Sequence, residues 1–314
     1  MCETPAMNHA VACARLPQTL IESFAGYVER DEPVALLTVV STDGSTYSKA
    51  GGQILIGADG RCHGLLSGGC LEQDLTERAA AVMRSRTAET VEYDLRADDD
   101  VFGLGVGCEG LLSIHIQPLD PATAHAPLSS WLEELESNGM AKAEFVLADG
   151  SSTLHLNLLR PHAVLVLGAG QDAVPLVSFC RELGWRVTVA DHRPAHVDAF
   201  REQHDGTVLC AAVDTLGEQV ELERFDAVIV MSHHLASDRE YLRRLADTSI
   251  GFVGLLGPPH RSVRLLREIG ASADGLADRL RSPVGRRIGG RGPAAIALEI
   301  VAELQAYFSA SSPD

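Results

Sequence analysis

The sequence has no apolar run of membrane-spanning length, few basic residues for its acids, and no Cys-x-x-Cys pair. A spanning helix needs about 20 consecutive apolar residues, so none is expected. The opening stretch, Met1–Arg15, carries neither a basic n-region nor a long apolar core. It therefore reads as free of a secretory signal, and the expected location is the cytoplasm. Lys and Arg number 26 against 43 Asp and Glu, a net charge of −17. That sign repels the phosphate backbone of nucleic acid and anionic lipid surfaces, so neither is an expected partner. The 7 cysteines are scattered. Without paired spacing, and in a chain read as signal-free, they are expected to be reduced thiols rather than disulfides or a closed zinc site.

What is present suits a two-domain α/β protein: 314 residues, 46% hydrophobic and 22% charged. Near-helical spacing of Leu16, Leu20, Phe24, Tyr27 and Val28 predicts a helix over 16–30, followed by strands over 34–40, 53–56 and 63–66. A strand over 111–117, a short helix near 128–137 and a hairpin over 143–158 follow. The boundary falls near Arg160-Pro161, giving units 1–160 and 161–314.

The most informative stretch is Leu65-Leu66-Ser67-Gly68-Gly69-Cys70-Leu71-Glu72-Gln73-Asp74-Leu75, which reads as strand, tight turn and helix start. Gly68 and Gly69 can take positive φ, and the unpaired N–H groups of a first helical turn favour an anion, either a thiolate or a phosphate. The same geometry lowers a thiol pKa from about 8.5, whereas Glu72 and Asp74 oppose it. Cys70 is thus read as accessible, with its reactivity open; alternatively it is a small buried hydrophobe. A second segment of the same kind, Gly103-Leu104-Gly105-Val106-Gly107-Cys108-Glu109-Gly110, precedes the strand at 111–117. Two glycine-flanked cysteines at strand edges suggest one pocket. A zinc site is the lesser alternative, with Cys62 and His63 as extra ligands.

Several linked segments, taken in order, resemble the XdhC/CoxI family. They are Val39–Tyr47, Lys49-Ala50-Gly51-Gly52-Gln53, Ser67-Gly68-Gly69-Cys70-Leu71-Glu72 and Gly103–Cys108. The likeness extends through most of the C-terminal half. One departure stands out, because the family commonly has Gly-Cys-Gly-Gly where this chain has Gly107-Cys108-Glu109-Gly110. Glu109 is expected to face solvent, since a carboxylate turned inward would oppose a thiolate or phosphate.

The second half opens with a buried strand, Ala163–Leu167, then Gly168-Ala169-Gly170-Gln171-Asp172-Ala173, a helix to Leu183 and a strand over 186–190 ending at Asp191. Gly168 permits the turn, Gly170 lets a phosphate approach the helix N-terminus, and Asp191, 21 residues past Gly170, can accept a ribose hydroxyl. The expected fold is a Rossmann-like doubly wound parallel sheet, and further strands over 207–210, 227–231 and 250–255 fit it. Methyltransferases share this layout, so the fold does not fix the ligand. His233, directly after a strand, is placed for ligand contact or proton transfer, or else belongs to a surface pair capping the next helix. The loop Gly254–Arg261 could hold phosphate, or Arg261 and Arg264 form a solvated helix face; Arg286, Arg287 and Arg291 could contact a pterin phosphate or a nucleotide, or are simply solvated surface.

The resemblance implies a maturation factor for molybdenum hydroxylases of the xanthine or aldehyde dehydrogenase type. Such a protein binds the molybdenum cofactor (molybdopterin), protects it while a cysteine desulfurase supplies the terminal sulfur, and delivers it to the apo-enzyme. The implied contacts are Ser67, Gly68, Gly69, Gly107 and Cys108, with Cys70 at the metal, and the implied assembly is a homodimer. Two alternatives remain. One is an NAD(P)-dependent oxidoreductase using Gly168, Gly170, Asp191 and His233. The other is a non-catalytic module whose second half senses a dinucleotide or dimerises.

Overall fold

The computed structural model describes residues 12–69, 71–95, 110–146, 153–204 and 206–311. Cys70, Gly107, Cys108 and Glu109 lie outside the described residues. The chain divides into two compact units, 1–160 and 161–313.

The N-terminal unit is built on β2 (Val34–Gly44), which is buried without a break from Val34 to Val40. Such a run arises because both faces of the strand are covered. Val34, Leu36 and Val40 turn to one cluster, while Ala35, Leu37 and Val39 turn to the other. In chain order the elements are β1 (Ala12–Arg15), α1 (Gln18–Glu29), β2, β3 (Gln53–Gly57), β4 (Cys62–His63) and α2 (Glu72–Ser85). They are followed by β5 (Glu89–Asp94), β6 (Gly110–Leu119), α3 (Leu128–Asn138), β7 (Met140–Val146) and β8 (Thr153–Leu159). The central sheet runs β4-β3-β2-β6-β5 and is antiparallel throughout. Against one face pack α1, α3 and a three-stranded sheet ordered β1-β8-β7; against the other packs α2 through Leu75, Ala79 and Val82.

Helix ends follow local chemistry. Arg86 closes α2 in the left-handed region at φ 56°, and Gly139 closes α3 at φ 74°. The strand expected over 63–66 is only Cys62–His63, since the following glycines turn the chain away. The polar segment Glu89–Asp94 becomes β5 by pairing with β6, although its own alternation is weak.

In the C-terminal unit all strand pairs are parallel and the order is β11-β10-β9-β12-β13-β14, the doubly wound pattern. The elements are β9 (Ala163–Leu167), α4 (Ala173–Glu182), β10 (Arg186–Asp191), α5 (Pro194–Arg201), β11 (Thr207–Cys210) and α6 (Leu216–Gln219). Then come β12 (Ala227–Val230), α7 (Leu235–Ala246), β13 (Phe252–Leu255), α8 (Pro259–Ile269), β14 (Leu280–Arg281) and α9 (Pro293–Ser311). Strand β9 is divided in the same way as β2. Val164 and Val166 face α4 and α9, and Leu165 and Leu167 face α7 and α8. No helix among the described residues is long and apolar enough to cross a membrane.

Leu36 is fully buried at the centre of β2, in the cluster that also holds Trp131. Leu36→Ala is expected to cost about 3 kcal/mol, read as a lower urea midpoint in tryptophan fluorescence with an unchanged m-value.

Candidate functional site

The first glycine loop joins β4 to α2, with Gly68 at φ 73° and Gly69 at φ 108°. The first residue of α2 folds back over it. Glu72 Oε1 accepts the Ser67 N–H at 3.0 Å, and Glu72 Oε2 accepts the Ser67 hydroxyl at 2.5 Å and the Leu71 N–H at 3.2 Å. The Leu71 N–H also donates to Ser67 Oγ at 2.8 Å. Burial pushes the Glu72 carboxyl up, but the hydrogen bonds from the Ser67 hydroxyl and nearby backbone N–H groups outweigh it and hold the group below its ordinary value. Two loop donors that the sequence leaves open for a thiolate or phosphate are therefore shared with the chain's own carboxylate. Gly69 remains open: a Cβ built there meets nothing within 4 Å.

The Ser45–Tyr47 turn after β2 touches both glycine segments. The Tyr47 ring atoms Cδ2 and Cε2 lie 3.6 and 3.8 Å from where a Gly68 Cβ would sit. On the other side Gly110, paired with Gly44, leaves no room for a side chain. Its Cβ would stand 2.6 Å from Thr46 Cγ2 and 2.7 Å from the Ser45 carbonyl. The Gly110 carbonyl also accepts the Leu95 N–H at 2.9 Å, so the described chain on either side of 96–109 meets at this turn. Cys108 is two residues from Gly110, and Cys70 two from Gly68. The anchors of the two cysteine segments thus come together.

Cys62 and His63 are engaged separately. The Cys62 thiol donates to the Gly64 carbonyl at 3.4 Å and is pushed up by burial and by the Glu72 charge. His63 Nε2 lies 3.0 Å from the Tyr27 hydroxyl. Among the described residues no group of three or more His, Cys, Asp or Glu could hold a metal.

In the C-terminal unit Gly168, at φ 131°, ends β9 where the strand order reverses. A Cβ there would meet the Met231 carbonyl at 2.6 Å, so only glycine lets this turn pass β12. Asp191 is fully buried at the end of β10. Its Oδ2 accepts the Ala169 N–H at 2.8 Å and Arg193 Nη2 at 2.7 Å; its Oδ1 accepts Arg193 Nε and the Arg193 N–H, each at 2.9 Å. Burial raises the Asp191 carboxyl, yet the Arg193 fork and these N–H groups outweigh it and hold it low. The carboxylate that the spacing offers to a ribose accepts four donors from its own domain. At the phosphate position stands another carboxylate: a Cβ on Gly170 would fall 2.5 Å from Asp172 Oδ1, and Asp172 Oδ2 lies 2.6 Å from His233 Nε2.

His233 holds a left-handed backbone at φ 58° and is exposed. Its neighbour His234 is the residue that caps α7, accepting from the Ser237 N–H. Arg261 is tied to buried Asp238, which also accepts the Ser232 hydroxyl, so its guanidinium braces α8 against α7. Arg286, Arg287 and Arg291 are exposed on a tail loop whose Ile288 and Gly289 N–H groups donate to Glu299 Oε1 at 3.1 and 3.0 Å. Sequence reading missed Arg193 and Asp172, although an arginine two residues after a strand-end acid is a visible signal.

Both units match known families. A model described as the XdhC Rossmann domain matches residues 164–304, and one described as the XdhC and CoxI family matches residues 27–94. A protein of Bacillus subtilis (strain 168) named as a probable xanthine dehydrogenase subunit is 28% identical over 315 residues, covering 88% of this chain and 94% of that protein. "Uncharacterized protein YqeB" of Escherichia coli (strain K12) is 25% identical over 280 residues, covering 88% of this chain and 44% of that protein. A crystal structure described as a xanthine dehydrogenase from Bacillus halodurans is 28% identical with a TM-score of 0.75, covering 94% of this chain and 97% of that one.

Removing the guanidinium in Arg193→Ala leaves a fully buried carboxylate short of its partner, at a cost of about 3 kcal/mol or more. The melting temperature should fall by on the order of 10 °C, as followed by calorimetry. The low carboxyls of Glu72, Asp74 and Asp191 contribute to the acid response, together with those of Glu223, Glu240 and Glu268. With folded values below unfolded ones of about 4, their stabilisation is fully present above that pH and is lost as pH falls through the folded values. Melting temperature should thus drop on acidification below about pH 4, and Glu72→Gln should start lower at neutral pH with a shallower acid slope.

Proposed function

The chain belongs to the XdhC/CoxI family, and from that premise we propose that it matures a molybdenum hydroxylase of the xanthine dehydrogenase type. In this reading the N-terminal unit binds the molybdenum cofactor and shields it while a cysteine desulfurase supplies the terminal sulfur. The protein, as a homodimer, then passes the cofactor to the apo-enzyme.

The observation that carries the reading is that Gly68 and Gly110, the described ends of the two glycine segments, both neighbour the Ser45–Tyr47 turn, Gly68 facing Tyr47 and Gly110 packed on Thr46. An anionic pterin bearing a metal needs close backbone approach, N–H donors and soft sulfur, and these segments carry the residue types for all three. Gly69 has open space beside its backbone, with nothing within 4 Å of a Cβ position, so such a group can approach the peptide there. Cys70 would meet the metal, with Ser67, Gly68, Gly69, Gly107 and Cys108 around the pterin. Bound cofactor would supply the molybdenum centre that the target enzyme uses; this chain would orient it and exclude water.

The B. subtilis relative's name and the B. halodurans structure's description both refer to xanthine dehydrogenase, which supports that class of target. The bonds that Asp191 makes to Arg193 and Ala169, and the Asp172 carboxylate beside Gly170, weigh against NAD(P) chemistry as the main activity. A nicotinamide cofactor bound in the fingerprint manner would need both arrangements to open.

Anaerobic purification from a molybdenum-competent host, then release of bound material by denaturation, tests the reading. Molybdenum and oxidised pterin are expected near equal amounts with the protein. Cys70→Ala should lose the metal and abolish reconstitution of a xanthine dehydrogenase apo-enzyme. Dinucleotide without pterin, or full reconstitution by Cys70→Ala, would overturn it.

A further inference from the structure

Building on the cofactor reading of the same site, we infer that Tyr47 is the stacking platform for the flat conjugated ring of the ligand. Tyr47 is 61% exposed, a large aromatic surface left to solvent beside the glycine loop. One edge of the ring faces Gly68, 3.6 and 3.8 Å from the place a Cβ would take, so only a methyl-sized gap separates them. The remainder is left to solvent, and its hydroxyl makes no hydrogen bond among the described residues.

The turn that carries the ring is braced by its neighbours. Thr46 Oγ1 donates to the Ser48 carbonyl at 2.7 Å, and the same turn is wedged against Gly110. The two strands leading to the turn are tied where the Val39 N–H meets the Gly52 carbonyl and the Gly51 N–H meets the Val39 carbonyl, each at 2.8 Å. An exposed aromatic face on a braced turn, beside an open glycine peptide, is suited to a planar heterocycle: the ring gives π contact, and the peptide groups of Gly68 and Gly69 can read the heterocycle's edge. Leu65, on the glycine loop, is a further exposed apolar side chain at 46%. A branched aliphatic partner would need apolar cover alone and would have no use for a π face.

The test uses molybdenum cofactor released anaerobically from a molybdenum hydroxylase, equilibrium dialysis against the full chain, and pterin fluorescence after oxidation as the readout. Tyr47 is a surface residue, so the variants should melt within a few degrees of the parent. Tyr47→Ala and Tyr47→Leu should each retain the pterin about tenfold less tightly, whereas Tyr47→Phe and Tyr47→Trp should match the parent. Equal retention by Tyr47→Ala, or by Tyr47→Leu, overturns the platform while leaving the cofactor reading intact. No retention by the parent chain overturns the cofactor reading itself.

Discussion

Carboxylates folded onto backbone N–H groups hold the glycine turns of this protein. Glu72 does so at the Ser67–Leu71 loop, Asp191 at the Gly168 turn, Glu299 at Ile288 and Gly289, and Glu303 at Gly285. A turn rich in glycine carries N–H groups with no ladder partner, and an unsatisfied buried donor costs roughly 1–3 kcal/mol. An acidic chain has the means to satisfy these donors internally. The surplus of acid in the composition is thus in part structural, beyond its effect on solubility.

The same device shapes the two glycine loops differently. In the C-terminal unit the fit is closed: Asp191 is fully buried and forked by Arg193, and Asp172 meets His233 across the point where strand order reverses. Those contacts fix the loops after β9, β10 and β12 to one another. In the N-terminal unit the Glu72 bond secures the Ser67 end of the loop, while Gly69 stays open and Tyr47 stands beside Gly68. The difference lies in burial. A carboxylate at 0% exposure with an arginine partner is difficult to displace, whereas one near the surface shares its donors more readily.

Much of the architecture was legible because the patterns are local. The apolar strand, glycine turn, helix and strand-end acid from Ala163 to Asp191 announced a Rossmann-like unit, and spacing alone placed α1, α3 and the β7–β8 hairpin. The strands β1, β5 and β14 were not legible, since Glu89–Asp94 alternates weakly and forms a strand only by pairing with β6. The same holds for site residues. The turns at Gly68, Gly69 and Gly168 were visible by residue type, yet Arg193 and Asp172 acquire their partners from across a turn or from distant parts of the chain.

The sequence by itself determined the family, most of the helices and strands and the positions of the glycine turns, because backbone permissiveness and hydrophobic period act over a few residues. Tertiary structure decided who satisfies whom. That Asp191 serves Arg193 and Ala169, that His234 rather than His233 caps α7, and that Tyr47 and Thr46 bring Gly68 and Gly110 to one turn all follow from distances between segments far apart in sequence. Hydrogen bonds and contacts fall off within a few ångströms, so the pairing of such groups depends on how the sheets bring their edges together, which no local pattern specifies.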